Sequence, residues 1–183
     1  KIAYHLLLQK HNFNPGEYTT KILLKLDPKE DSLVASKKIL KVLLNNMIIN
    51  EDGLKKDIDT EFLHDFRVSI RRTRAYLSEI KNLFKPEEQV LYKNEFKRIQ
   101  QTTNVLRDLD VYLLDKDRLM GILPEYLNEG LLTFFEELKV EREKELANVK
   151  TFINSEDYKN AKLKWQDFLK TTISSENPTT ILE

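Results

Sequence analysis

The sequence has no cysteine. Disulfides, thiolate nucleophiles and cysteine-based zinc sites are therefore excluded, and the chain fits a reducing compartment. Glycine and proline are scarce, at four and five in 183 residues. There is no Gly-rich phosphate loop, so any phosphate has to be held by side chains rather than by backbone amides. No apolar run is long enough to span a bilayer, and no signal peptide is visible. The expectation is a cytoplasmic chain with no membrane partner. Net charge is lacking as well, because 30 Lys and Arg balance 30 Asp and Glu. General nucleic-acid binding has no support, and an anion site has to be a local patch.

What is present favours helix. Charged residues make up 33% of the chain and hydrophobic ones 40%, enough for a core in a Gly- and Pro-poor sequence. Asp27-Pro28 reads as a helix start, with Leu33, Ile39, Leu40, Leu43, Leu44, Met47 and Ile48 in helical period to about Ile49. Asn50-Glu51-Asp52-Gly53 reads as its end. Asp59-Thr60-Glu61 precedes a second helix, which runs to about Phe84, where Lys85-Pro86 breaks it. A third carries Val90, Leu91, Phe96, Ile99, Leu106, Leu109 and Leu113, and Thr102-Thr103-Asn104 is expected to loosen or kink it. Gly121 and Pro124 precede a long amphipathic segment from about Tyr126 to Ile153. Asn154-Ser155-Glu156-Asp157 opens a last helix holding Tyr158, Leu163, Trp165, Phe168 and Leu169. The fold class is all-α, an antiparallel bundle of about five main helices. Residues 1–26 differ from the rest: a short helix around Ile2 to Leu8, a turn at Asn14-Pro15-Gly16, then a short strand or extended linker over Lys21 to Leu26. The bundle spans 27–172, and 173–183 form a flexible tail.

The second helix carries the unusual feature. Four arginines, Arg67, Arg71, Arg72 and Arg74, follow one another with no acid between them. At about 100° per residue, His64, Arg67, Arg71 and Arg74 share one face. Phe62, Leu63, Phe66, Ile70 and Leu77 gather on the opposite side. Arg67 and Arg71 are a like-charge i,i+4 pair, which destabilises a helix unless something anionic compensates. The compensating charge is either the Glu-rich stretch from Glu125 to Glu145 or an external polyanion. If the third helix is continuous, Lys93, Lys97, Gln100, Asn104 and Arg107 form a second basic line facing the first.

Arginine suits phosphate, since its planar fork donates two parallel charge-assisted hydrogen bonds and never titrates. Two convergent basic helices would concentrate a polyanion between them. A structural or interaction domain with internally paired arginines is the first alternative. A metal-dependent phosphohydrolase at His64-Asp65 is the second. It requires more histidines and a distant aspartate, and only His5 and His11 remain. In Arg107-Asp108-Leu109-Asp110 one acid either braces a neighbouring arginine or orients Arg107 toward a ligand. No catalytic set stands out, and no cofactor or metal is expected.

The segment Leu63-His64-Asp65-Phe66-Arg67-Val68-Ser69-Ile70-Arg71-Arg72-Thr73-Arg74 resembles the signature of CHAD domains, the conserved histidine α-helical domains. Leu106-Arg107-Asp108-Leu109-Asp110-Val111 resembles that family's second landmark, and the resemblance covers about Asp27 to Leu169. It implies a non-enzymatic helical module that binds inorganic polyphosphate for targeting or regulation. His64, Arg67, Arg71, Arg72 and Arg74 match the first landmark, and Arg107 matches the second. Lys93 and Lys97 rest on the shared helix face. Residues 1–26 are similar to the connector after a CYTH triphosphatase domain in fused CYTH–CHAD proteins. The chain looks like the N-terminal half of a family domain, with a homodimer through an exposed apolar interface as one way to complete it.

Overall fold

The computed structural model describes residues 22–80 and 82–171. The expected N-terminal helix, the Asn14-Pro15-Gly16 turn and the tail 173–183 lie outside the described residues. Seven α-helices and one 3-10 turn are present among them: α1 Ser32–Lys56, α2 Thr60–Glu79, α3 Pro86–Thr102, α4 Asn104–Leu114, α5 Lys116–Ile122, the 3-10 turn Glu125–Leu127, α6 Asn128–Asn154 and α7 Glu156–Lys170. The described residues contain no strand, so residues 22–26 are not the strand that one reading of Lys21 to Leu26 expects. No helix among them is long and apolar enough to cross a membrane.

The fold is all-α, and the count rises from about five to seven for one reason. The expected third helix is divided at Thr103 and Asp115 into α3, α4 and α5. Other boundaries move by local chemistry. Asp27 accepts from Lys29 N–H at 2.9 Å and makes a turn. The true N-cap is Asp31, whose carboxylate accepts from Leu33 and Val34 N–H at 2.9 and 3.1 Å. Helix α2 stops at Glu79 rather than at Phe84. The Gln89 side-chain amide donates to the carbonyls of Leu77 and Ile80, satisfying acceptors that the helix end leaves open.

The core lies among α1, α2, α3, the start of α4, α7 and the C-terminal half of α6. Leu40, Leu43, Phe62, Phe66, Ile70, Leu106, Val149, Ile153, Tyr158 and Trp165 fill it. Buried Glu51 on α1 accepts from Tyr158 Oη and Lys162 Nζ on α7, both at 2.6 Å, tying the two helices together. The first two helices pack closely side by side.

Gly53 does not end α1, which continues to Lys56 and closes on Asp57 in the left-handed region at φ 50°. Glycine is needed there for space. A Cβ on residue 53 would meet the Phe62 ring at 2.2 Å, and that ring is buried. Gly53→Ala is expected to destabilise the fold by about 1–3 kcal/mol through overpacking. Alanine's better helix propensity, about 1 kcal/mol, offsets part of this. Chemical denaturation checks it, and a raised midpoint would show that Phe62 has room to move.

Candidate anion-binding site

Burial of one side of α2 fixes its rotation. Phe62, Leu63, Phe66, Ile70 and Leu77 are all at most 2% exposed, so residues three and four apart on the other side project together. His64, Arg67 and Arg71 emerge there, opposite the place where α3 gives way to α4. With Val68, Gln100 and Arg107 they line an open cavity of about 180 Å³. That is far more than the roughly 10–15 Å³ one water requires.

The helix break builds the far wall. The last carbonyls of a helix have no donor from their own helix. At the end of α3 the Gln100 carbonyl accepts from Thr103 N–H at 3.2 Å and from Thr103 Oγ1 at 2.9 Å. Arg67 Nη1 donates to the same carbonyl at 3.0 Å and to Thr103 Oγ1 at 2.7 Å. Thr103 is fully buried. Arg67 is thus anchored through its terminal Nη1 by neutral oxygens, which leave its charge uncancelled.

The electrostatics follow. Burial lowers the Arg67 pKa below the ordinary arginine value, and the Arg107 and Arg71 charges act in the same direction against the influence of Asp108. Among the described residues no Asp or Glu lies within 4 Å of the Arg67, Arg71, Arg74 or Arg107 guanidinium. The residues of the Glu-rich segment that form ion pairs do so along their own helix, Glu136 with Lys139 at 2.7 Å and Glu141 with Lys144 at 3.2 Å. Arg107 Nη1 is shielded from solvent and has no hydrogen-bond partner among the described residues.

Four of the eight sequence-predicted residues therefore meet in one cavity: His64, Arg67, Arg71 and Arg107. Arg74, one turn further along α2, donates to Gln100 Oε1 at 2.6 Å and stands behind that residue. Lys93 and Lys97 are exposed on α3 and, like Arg72, are not among the residues lining the cavity. The break at Thr103 ends the continuous line on which both lysines were placed.

Asp110 braces an arginine, but not Arg107. Its Oδ1 accepts from Arg142 Nε on α6 at 2.6 Å. Arg142 also grips Asp57 with both terminal nitrogens, at 3.0 and 2.7 Å. Among the described residues no group of three His, Asp or Glu side chains could hold a metal ion. His5 and His11 lie outside them.

Sequence reasoning gives no role to Gln100, Thr103 or Arg142. The first sits on the expected second line as a neutral residue, the second reads only as a breaker, and the third is lost among glutamates. The one available signal was that Gln100 and Thr103, three apart at a helix end, directly precede Leu106-Arg107-Asp108-Leu109-Asp110-Val111. No individual curated protein matches the chain. The CHAD domain family model matches residues 38–181, most of the length, and the chain belongs to the CHAD domain family.

Proposed function

We propose that this chain binds inorganic polyphosphate, or a close phosphate polyanion, at the cavity between α2 and the α3–α4 break. It acts as a non-enzymatic targeting or regulatory module of the cytoplasm. One observation carries this: three arginines and a histidine converge on a cavity whose lining contains no carboxylate. The family, associated with polyphosphate, agrees with it. A bound anion would relieve the mutual repulsion of Arg67, Arg71 and Arg107. Lys93 and Lys97, exposed on α3, extend the basic surface for further phosphates. The lining also favours a bare phosphate chain over single-stranded nucleic acid, since no aromatic side chain is there to stack a base.

Calorimetric titration of the chain with long-chain polyphosphate, beside single-stranded RNA at matched phosphate concentration, tests the proposal. Saturable binding of polyphosphate is expected, with RNA markedly weaker. Three to four phosphate contacts should make affinity fall roughly 20- to 150-fold between about 50 and 200 mM salt. No binding at low salt, or equal binding of RNA, would overturn the reading.

A further inference from the structure

We infer that Gln100 is a phosphate-oxygen donor of this site, and that Arg74 is the positioning residue that turns it toward the ligand. The inference rests on the polyphosphate reading. Every other polar group of Gln100 is already committed. Its carbonyl accepts from Arg67 and from Thr103, and its Oε1 accepts from Arg74 Nη1 at 2.6 Å. A guanidinium only donates, so the atom facing Arg74 has to be the amide oxygen. The amide nitrogen, with two N–H donors, is left without a partner among the described residues. It belongs to a residue that lines the cavity.

The arrangement has a physical rationale. A glutamine turned the other way would present an oxygen to the cavity and repel phosphate. Arg74 forbids that orientation. Its own Nε is shielded from solvent and has no partner among the described residues, so the side chain lies inward rather than out toward the ligand. A neutral donor adds hydrogen bonds to an oxyanion without adding a charge to the repelling arginines around it. Arg74 then contributes through the amide it holds, although it shares a helix face with Arg67 and Arg71.

Polyphosphate titrations over a salt series, on Gln100→Ala, Gln100→Glu, Arg74→Met and the Gln100→Ala/Arg74→Met double variant, test this. Gln100→Ala should lower affinity roughly tenfold to a hundredfold. Its salt slope should match wild type, because no charge is removed. Gln100→Glu keeps the Arg74 contact and the fold, but turns an oxygen toward the ligand, and should bind more weakly than Gln100→Ala. Arg74→Met should weaken the wild type yet add little in the Gln100→Ala background. Wild-type affinity in both Gln100 variants would overturn the donor role. Additive losses, with an Arg74→Met salt slope lower by about one, would make Arg74 itself a phosphate ligand and overturn the positioning role. A wild type that does not bind polyphosphate overturns the functional reading and this inference with it.

Discussion

Replacing Arg67 and Arg71 together with alanine should abolish polyphosphate binding and leave a folded protein. Each guanidinium that contacts a phosphate supplies charge-assisted hydrogen bonds worth about 1.5–3 kcal/mol. Losing both should reduce affinity roughly 10²- to 10⁴-fold. The fold should survive for separate reasons at the two positions. Arg71 is exposed, and no Asp or Glu among the described residues pairs with it. Arg67 does anchor on the Gln100 carbonyl, but that carbonyl keeps Thr103 N–H and Oγ1 as donors when Arg67 is gone. Removing two members of a repelling cluster also lowers the electrostatic cost of the ligand-free state. The thermal midpoint without ligand should therefore hold or rise. A clear fall in the midpoint with unchanged polyphosphate affinity would mark these arginines as structural.

Arg142→Ala should have the opposite profile, a large loss of stability. Arg142 joins three elements, since it holds Asp57 at the end of α1 and Asp110 on α4 from its place on α6. Asp110 is only 1% exposed. Removing Arg142 leaves a buried charge uncompensated, which costs about 3–5 kcal/mol. That is a large share of the roughly 5–15 kcal/mol that holds a domain together. The pH dependence supplies an independent check. Burial raises the Asp110 pKa above the ordinary carboxylate value, with Arg142 opposing it. Without Arg142 the pKa rises further. A raised carboxylate pKa means that the folded state takes up its proton more readily than the unfolded one. The deficit of Arg142→Ala should accordingly shrink as pH falls from about 7 toward about 5. Asp57 does not confuse that window. The Arg142 hydrogen bonds hold its pKa below the ordinary value. Its contribution is complete above the ordinary carboxylate pKa of about 4 and is lost only as pH falls through the lower folded value. A deficit under about 1 kcal/mol, or one that does not change with pH, would show that the bridge is dispensable.

Helical periodicity made the fold class legible, because it is a local property of the chain. The same holds for the half of the site on α2. His64, Arg67 and Arg71 sit at i, i+3 and i+7, and an apolar far side forces such residues out together. The rest depended on tertiary choices. Gly53 has the look of a helix terminator, yet the Phe62 ring against it is what requires a glycine. Thr103 carries a recognisable tendency to loosen a helix. What the break is used for, a carbonyl freed for Arg67, becomes visible only once α2 lies against α3. Arg142 is 85 residues from Asp57 and 32 from Asp110, so no local pattern links them. Arg74 shows the limit of the helical wheel. It shares a face with Arg67 and Arg71, but one further turn places it behind Gln100 instead of in the cavity. Lys97 shows the same limit on α3, where the break at Thr103 separates it from Arg107.

The most direct measurement is a crystal structure of the chain with bound polyphosphate. Phosphate oxygens should lie within hydrogen-bond distance of Arg67, Arg71 and Arg107, in the cavity between α2 and the α3–α4 break. A phosphate chain seated elsewhere, with those three guanidiniums free of it, would contradict the assignment.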